Sequence, residues 1–273
     1  MSFLDKLRQK QQPKKPAILL YSEAGGGKTS LAAQFSKPVF LIDPKEDGIG
    51  DLKQAGLVDD DIPVLTCESW EQCHEYIGGL LNESHDRETL VFDAFSATGF
   101  EQLLFNYVGQ TLFAGNMGED GFWSFQKGPT KSLPALQALF AKLDRLREKM
   151  RIVVLAHSRV GKFNHPKHGE FSKIKLQLSE PVAECLMGWV SHAGFIDFAI
   201  ETTTDKQTKK KYGKGGTDRE LHFTKTATFD AKNRWGLTEP IDLGDSAREG
   251  FGNWMTAIRD AVAANKQTTD ESN

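Results

Sequence analysis

The residues with the clearest chemical potential lie at positions 21–30, YSEAGGGKTS, where three glycines precede a lysine and a threonine. An apolar run comes before them, and a helical pattern follows. In this context the backbone N–H groups of a glycine-rich loop can wrap phosphates, and the start of the helix adds a favourable dipole. Ser22 stands where the usual pattern has its first glycine. The sequence predicts a nucleotide-binding loop formed by Glu23, Ala24, Gly25, Gly26, Gly27, Lys28, Thr29 and Ser30.

A phosphate loop of this type works with a divalent cation and an acidic residue that helps to hold it. We expect Lys28 to contact the β- and γ-phosphates of ATP and Thr29 to ligate Mg²⁺. Asp93 ends the apolar run 90–92, LVF, which is the place where such loops find their acidic partner. Thr29 and Asp93 are therefore the predicted metal ligands.

The residue after Asp93 is Ala94, whereas ATPases of the AAA-plus and DExx-helicase kinds carry a water-activating Glu at that position. The catalytic base must then lie elsewhere. The segment LIDPKEDG places Glu46 a few residues beyond a second apolar run, on a loop that would face the nucleotide. Glu46 is the predicted base, and Asp43 and Asp47 remain alternatives.

Short apolar runs alternate with helical patterns along most of the chain. The runs AILLY, PVFLID, PVLT, TLVFD and RIVVLAH begin at positions 17, 38, 63, 89 and 151. Continuous apolar strands separated by helices predict a mainly parallel sheet with helices on both faces. After position 194, GFIDFAIETTT and RELHFTKTATF are joined by a basic glycine-rich turn, and they predict an antiparallel pair at the far edge of the sheet. The predicted fold class is α/β.

Composition limits the remaining possibilities. The chain has 273 residues, of which 39% are hydrophobic and 26% charged, and its net charge is −3, so contact with nucleic acid must come from local clusters of Lys and Arg. The three cysteines show no paired spacing, and no apolar run reaches the length of a membrane helix. We expect a cytoplasmic protein with a flexible leader at 1–16, one domain at 17–264 and a disordered tail at 265–273. The antiparallel extension would occupy about 194–240.

The order of these motifs resembles the RecA-like P-loop ATPases. In that family the strand after the phosphate-loop helix ends in an Ile-Asp-x-Glu segment, similar to LIDPKEDG, whose Glu orients the attacking water. RIVVLAHSRV resembles the strand that ends in a sensor of the γ-phosphate, which would make His157 the sensor. AKNRWG at 231–236 resembles the Lys-Asn-Arg-Phe-Gly signature of the RadA branch, with Trp235 for Phe. This resemblance implies that Lys232 and Arg234 reach the ATP of a neighbouring subunit.

Two stretches without a regular pattern are the predicted DNA-binding loops. The first, 106–131, is rich in glycine, and the second, 159–175, is rich in lysine and arginine. Aromatic rings in such loops can stack on bases without reading sequence, while cationic groups follow the phosphates. The predicted DNA contacts are Trp123, Lys127, Arg159, Lys162, Phe163, Lys167 and Lys173.

The family that the chain resembles most is the phage nucleotide-binding proteins of the RecA-like single-strand annealing group. Membership implies binding of ATP, Mg²⁺ and single-stranded DNA, and a role in annealing or recombination beside a single-strand-binding protein in the host cytoplasm. A homo-oligomer is expected, with filament, ring and monomer all left open. Two alternatives also stay open: a hexameric helicase-like motor on the same fold, and an ATP-binding module that hydrolyses little ATP.

Overall fold

The computed structural model describes residues 13–167, 169–204 and 211–271. The strands are β1 (Ala17–Ser22), β2 (Pro38–Ile42), β3 (Val64–Thr66), β4 (Thr89–Asp93), β5 (Arg151–His165), β6 (Gly169–Leu176), β7 (His192–Thr204), β8 (Lys211–His222) and β9 (Ile241–Asp242). The helices are α1 (Lys28–Ala32), α2 (Gly48–Gln54), α3 (Trp70–Asn82), α4 (Phe100–Phe113), α5 (Lys127–Lys131), α6 (Leu133–Leu146), α7 (Glu180–Trp189) and α8 (Ala247–Glu271). Each apolar run of the sequence therefore forms a strand.

The described strands form one nine-stranded sheet. Its order is β3-β2-β4-β5-β1-β7-β8-β9, and β6 pairs with the outer part of β5. The first six strands in this order, β3, β2, β4, β5, β1 and β7, run parallel to their neighbours. Strands β8 and β9 are antiparallel to their neighbours. The α/β fold class, with its mainly parallel sheet and antiparallel edge extension, is confirmed.

Two hydrophobic cores lie on opposite faces of this sheet. Strand β1 is buried along its whole length, because alternate side chains point to alternate faces. Leu19 joins the core covered by α3, α4, α6 and α7, and Leu20 joins the core covered by α1, α2 and α8. A strand buried on both faces needs continuous apolar sequence, which explains why these strands were recognisable as unbroken runs.

The parallel register brings the predicted active residues to one edge of the sheet. Ser22, the last residue of β1, is level with His157 on β5. Asp93, the last residue of β4, is level with Ile42, the last residue of β2. In open α/β sheets, ligands bind at the carboxyl ends of the strands, and this edge is where the phosphate loop leaves β1.

The second predicted DNA-binding loop is a β-ribbon and not an irregular loop. Strand β5 continues beyond the core, turns, and returns as β6, with cross-strand pairs from Ser158 with Leu176 to His165 with Gly169. Gly169 has a φ of 74°, a left-handed conformation that glycine adopts without a steric penalty. Backbone pairing between β5 and β6 thus gives regular structure to a segment that we predicted from its composition alone to be irregular. We name residues 158–176 the ribbon.

The first predicted loop is also more regular than expected. Helix α4 extends to Phe113, and a 3-10 turn at Ser124–Gln126 leads into α5. Phe122 is buried and packs against Phe105 and Phe113 of α4. This aromatic cluster holds the segment against the core, so that only part of it is free to contact a ligand.

Two predictions about the ends of the domain need correction. Arg147 donates a hydrogen bond from Nε to the carbonyl of Lys15, and Lys15 donates its backbone N–H to the carbonyl of Arg147, so positions 13–16 of the predicted flexible leader are attached to the domain. Positions 1–12 lie outside the described residues. The predicted disordered tail is helical from 265 to 271, because α8 continues to Glu271 with no Gly or Pro after Gly252 to end it.

Candidate nucleotide site and neighbouring ribbon

The loop between β1 and α1 has the backbone shape of a phosphate cradle. Gly25 and Gly27 take left-handed φ values of 79° and 83°, which side chains other than glycine rarely adopt. A Cβ at Gly26 would lie 2.2 Å from the Ser22 hydroxyl oxygen. All three glycines are therefore required by the local geometry. The left-handed conformations at Gly25 and Gly27 direct the chain into the first turn of α1.

The Lys28 ammonium lies inside this loop without an anionic partner. Its Nζ donates to Ser22 Oγ at 2.9 Å, to the Glu23 carbonyl at 3.0 Å and to the Ser22 carbonyl at 3.3 Å. The residue is only 6% exposed, and burial lowers the pKa of its ammonium to about 8. None of the described carboxylates lies within ion-pair distance of Nζ. A buried cation that contacts only neutral oxygens is a suitable binding site for an anion such as phosphate.

Ser22, which stands where the usual pattern has its first glycine, has a function that the sequence pattern did not indicate. Its hydroxyl accepts a hydrogen bond from Lys28 Nζ and donates one to the carbonyl of Glu23. The side chain thus orients Lys28 when no phosphate competes for the ammonium. No local pattern indicates this contact beyond the small size of serine.

Asp93 and Thr29 form the opposite half of the site. Thr29 Oγ1 donates to Asp93 Oδ2 at 2.8 Å. Asp93 is 2% exposed, and burial raises the pKa of its carboxyl to about 6, although the hydrogen bond from Thr29 partly offsets the rise. A desolvated carboxylate beside a hydroxyl is the oxygen set that Mg²⁺ takes in phosphate-loop proteins. The residues present therefore fit both ATP phosphates and Mg²⁺.

Glu46 and His157 face the same cavity as the phosphate loop. The cavity has a volume of about 320 Å³, and its lining includes residues 24–30 together with Glu46, Asp93 and His157. His157 Nε2 lies 4.0 Å from Glu46 Oε2, and the contact with His157 holds the pKa of the Glu46 carboxyl below its ordinary value. The predicted base is thus ionised and close to the predicted sensor.

The two alternatives to Glu46 are placed differently. Asp43 is buried and accepts a hydrogen bond from the backbone N–H of Lys45, so its carboxylate supports the turn after β2. Asp47 is exposed, precedes α2 and does not line the cavity. Of these three acidic residues, only Glu46 is in the lining of the phosphate cavity, so the geometry favours Glu46 as the base.

Lys232 and Arg234 lie away from the phosphate cavity of their own chain. Lys232 pairs with Ala193 through two backbone hydrogen bonds, and Ala193 is level with Leu19, which precedes the loop on β1. Lys232 Nζ donates to the carbonyls of Met187 and Gly188, so it caps the end of α7 with a favourable charge. Arg234 is exposed and is the more available cation of the two.

The aromatic residue of the AKNRWG segment has a structural role. Trp235 stacks on His192 with ring centroids 3.3 Å apart, and it also contacts Phe223 and Trp254 at its edges. Burial, together with the nearby Arg234, lowers the pKa of His192 to about 4. His192 Nδ1 accepts the backbone N–H of Arg234, which fixes the start of the segment.

Most of the cations and rings of the ribbon share one face. Side chains alternate along a strand, and Arg159, Phe163, Phe171, Lys173 and Lys175 occupy matching positions across the β5–β6 pairing. Lys162 lies on the other face in an exposed pair with Glu170, and Lys167 is exposed in the turn. A β-ribbon with interleaved rings and cations has the composition of a single-strand nucleic-acid surface.

Lys173 does not occupy the position that we predicted for a DNA contact. It is 8% exposed, and its Nζ lies 2.8 Å from Asp230 Oδ2. It also lies 5.1 Å from the centre of the Phe163 ring. The paired ammonium attaches the ribbon to the segment before AKNRWG, and its burial keeps it from a phosphate on the surface.

The predicted contacts in the first segment are only partly available. Trp123 is half-exposed, with its buried part packed against Phe105 and Phe122. Phe125 is 91% exposed, and Lys127 Nζ lies 5.4 Å from the centre of its ring. Phe125, which was not among our predicted DNA contacts, is thus the most accessible ring of this segment.

Comparison with known families decides what this arrangement is. A family described as an AAA domain matches residues 14–235, which is most of the chain. The chain belongs to this AAA domain family. It is thus an ATPase-type P-loop domain on an α/β fold. Ala94 occupies the position next to Asp93 where AAA-plus ATPases carry their catalytic Glu, and Glu46 is the acid that faces the cavity.

Other comparisons add little to the family assignment. No curated protein matches the chain. Among solved structures, the crystal structure of the RadB recombinase matches with a TM-score of 0.39 and 13% sequence identity, over 80% of this chain and 84% of that one. A likeness at this level says nothing about what the AAA domain binds. None of the described helices is long and apolar enough to cross a membrane.

Proposed function

We propose that this AAA domain is a Mg²⁺-dependent ATPase that binds single-stranded DNA and assists annealing or homologous recombination. The observation that carries the proposal is the continuity of β5, a 15-residue strand. Its inner part places His157 in the phosphate cavity, and its outer part carries Arg159 and Phe163 in the ribbon. One continuous strand therefore connects the nucleotide site to the surface proposed for DNA.

Glu46 is the proposed base. As a carboxylate with a lowered pKa, facing the loop that would hold the γ-phosphate, it can polarise a water for in-line attack. His157, 4.0 Å away, would change its contact with Glu46 when the γ-phosphate leaves. Because His157 belongs to the strand from which the ribbon extends, this change is the proposed coupling of nucleotide state to DNA contact.

Bound Mg²⁺ would neutralise charge on the phosphates, with Thr29 and Asp93 as its proposed protein ligands. Lys28 would exchange its contacts with Ser22 and the Glu23 carbonyl for phosphate oxygens. That exchange replaces neutral partners of a buried ammonium by anionic ones, and charge-assisted hydrogen bonds of this kind are roughly twice as strong as neutral ones.

On the ribbon, Arg159, Lys162 and Lys167 are the proposed phosphate contacts, and Phe163 is a proposed stacking ring. These cations are exposed, so they can reach a DNA backbone. Trp123 and Lys127, beside the exposed Phe125, form a second proposed contact area. Because stacking on aromatic rings is tolerant of sequence, the proposed substrate is a single strand of any sequence.

We further propose that neighbouring subunits complete each other's ATP sites, with Arg234 as the principal trans-acting cation and Lys232 beside it. The support is the exposure of Arg234 and its absence from the lining of the phosphate cavity of its own chain. An Arg234→Ala chain and a Lys28→Ala chain, each inactive alone, should regain part of the activity when mixed, since some interfaces would join an intact loop to an intact cation. Verified mixed oligomers without activity would refute the trans role.

The test of the DNA proposal is the affinity for a fluorescent poly-dT strand, measured with ATP and Mg²⁺, with ADP, and without nucleotide. We expect salt-sensitive binding that changes with the nucleotide state and that falls in the Arg159→Gln/Lys162→Gln variant. Electron microscopy of the same mixture distinguishes filaments, rings and monomers. Closed rings that unwind duplex DNA would favour a helicase-like motor, and DNA binding without ATP turnover would favour a binding module. A protein that binds no DNA in any nucleotide state would refute the proposal.

A further inference from the structure

Arg219 brings a cation to the phosphate loop from a distant part of the sequence. It lies on β8, opposite Phe198 of β7, at the same edge of the sheet as the loop. Its guanidinium lies directly against Gly27, because a Cβ built on Gly27 would be 2.3 Å from Arg219 Nη1. Gly27 thus serves two purposes: it allows a left-handed φ, and it leaves space for the guanidinium.

No described side chain neutralises Arg219. The ion pairs among described residues do not include it, and no described side chain hydrogen-bonds to its guanidinium. Its backbone carbonyl accepts the N–H of Leu243 on the next segment. A half-buried guanidinium usually finds an anionic partner, and this one lies against Gly27 of the proposed phosphate loop.

The cavities on either side of the loop show which part of a nucleotide Arg219 would meet. The cavity that contains Glu46 and His157 does not include Arg219. A second cavity of about 280 Å³ shares Gly25 with the first, and its lining also includes Phe198, Asp218, Arg219 and Asp245. A triphosphate whose terminal phosphate faces Glu46 must direct its sugar away from it. The second cavity does not include Glu46, so it is where we expect the sugar, and Arg219 lines it.

We propose that Arg219 binds the nucleotide in cis, contacting the phosphates nearest the sugar. The inference rests on the proposed function of the loop as an ATP site. Lys28 and Arg219 then supply two cations from the same chain, and the proposed trans cation Arg234 acts only on the transferred phosphate. Nucleotide binding is accordingly complete in one subunit, whereas hydrolysis requires a neighbour.

The test compares ATP and ADP affinities of wild type, Arg219→Gln and Arg248→Gln by isothermal titration at low salt. Arg248 is an exposed arginine in the neighbouring groove lined also by Arg219, which makes it a matched charge control. We expect Arg219→Gln to weaken ATP and ADP binding alike, by about tenfold or more, since a charge-assisted contact to phosphate is lost. Arg248→Gln should bind both nucleotides like wild type.

Three results would overturn the inference. Unchanged ADP affinity in folded Arg219→Gln would show that the guanidinium does not contact the nucleotide. A loss confined to ATP, or to turnover, would place Arg219 at the terminal phosphate instead. An equal loss of nucleotide affinity in Arg248→Gln would show that the effect comes from the overall positive charge of the region and not from a contact with Arg219. If Arg219→Gln does not fold, Arg219→Lys should show a loss of a few-fold, because an ammonium replaces a two-pronged donor; unchanged affinity there would also contradict the inference.

Failure of this inference is distinguishable from failure of the ATP site itself. If wild type binds ATP, Lys28→Ala does not, and Arg219→Gln binds like wild type, only the role of Arg219 is wrong. If wild type binds neither nucleotide, or if Lys28→Ala binds as well as wild type, the assignment of the loop is wrong, and the inference about Arg219 is overturned with it.

Discussion

Replacing Asp93 by Asn should stabilise the nucleotide-free protein at neutral pH while it damages Mg²⁺ binding. Asp93 is buried at the end of β4, where its only described hydrogen-bond donor is the Thr29 hydroxyl. Burial raises the pKa of its carboxyl from 3.8 to about 6. Ionisation of Asp93 at neutral pH therefore lowers the free energy of unfolding. Asn keeps the shape and an oxygen for Thr29, and it carries no charge.

The magnitude follows from the two pKa values. A carboxyl whose folded pKa is raised loses stability as pH rises through the window from about 4 to about 6, because the folded state then gives up a proton that it binds more tightly than the unfolded state. Above about pH 7 the full cost applies, about 3 kcal/mol. At pH 4.5 about 1 kcal/mol of it remains.

The assay is urea unfolding of wild type and Asp93→Asn in EDTA at pH 7.5 and pH 4.5, with the exposed Asp60→Asn as a matched control. We expect Asp93→Asn to raise the free energy of unfolding by up to about 3 kcal/mol at pH 7.5 and by about one third of that at pH 4.5. Asp60→Asn should change it by less than about 0.5 kcal/mol at either pH. With ATP and Mg²⁺ added, wild type should gain stability and Asp93→Asn much less.

Two outcomes would refute this reasoning. If Asp93→Asn were less stable than wild type at pH 7.5, the Asp93 carboxylate would be stabilised by favourable contacts and would not be an uncompensated buried charge. A gain in stability that is equal at both pH values would show that the effect comes from packing and not from ionisation. Either result would contradict the claim that the buried charge of Asp93 favours binding of a cation at this site.

The remaining predictions concern the loop, the base and the ribbon. Lys28→Ala should abolish ATP binding in titration calorimetry with the fold intact by circular dichroism, since the ammonium compensates phosphate charge; wild-type affinity would contradict the loop assignment. Glu46→Gln should keep nucleotide affinity and lower turnover by about a hundredfold or more, because an amide does not accept the water's proton; if Asp47→Asn behaves this way instead, the base is misassigned. Lys162→Gln should weaken poly-dT binding and reduce the slope of log affinity against log salt by about 0.7, and an unchanged slope would exclude a phosphate contact there.

The parts of the fold that were predictable are those with strong local signals. Strands β1 and β4 are buried on both faces, so their continuous apolar sequence identified them, and the glycines of the phosphate loop identified the turn after β1. The ribbon was not predictable from composition, because a polar two-stranded ribbon that extends beyond the core has no continuous apolar run. The end of α8 was missed for a related reason: its last turns are polar, and only the absence of a helix breaker indicates that they continue.

The site residues divide in the same way. Thr29 and Asp93 are recognisable from the sequence, because Thr29 comes after a glycine-rich loop and Asp93 comes after an apolar run. Their side chains form a hydrogen bond of 2.8 Å. Arg219 belongs to β8 and meets the loop only through the order of the sheet, so no local pattern could have indicated it. The burial of Lys173 depends on its pairing with Asp230, another contact between segments far apart in sequence.

The most direct test of the central claim is steady-state ATP turnover as a function of single-stranded DNA concentration, with Lys28→Ala as the inactive reference. Because β5 carries both His157 and the ribbon, we predict Mg²⁺-dependent turnover that rises on addition of the DNA, and a smaller rise in the Arg159→Gln/Lys162→Gln variant. Turnover that is insensitive to DNA, or equal in wild type and Lys28→Ala, would contradict the account.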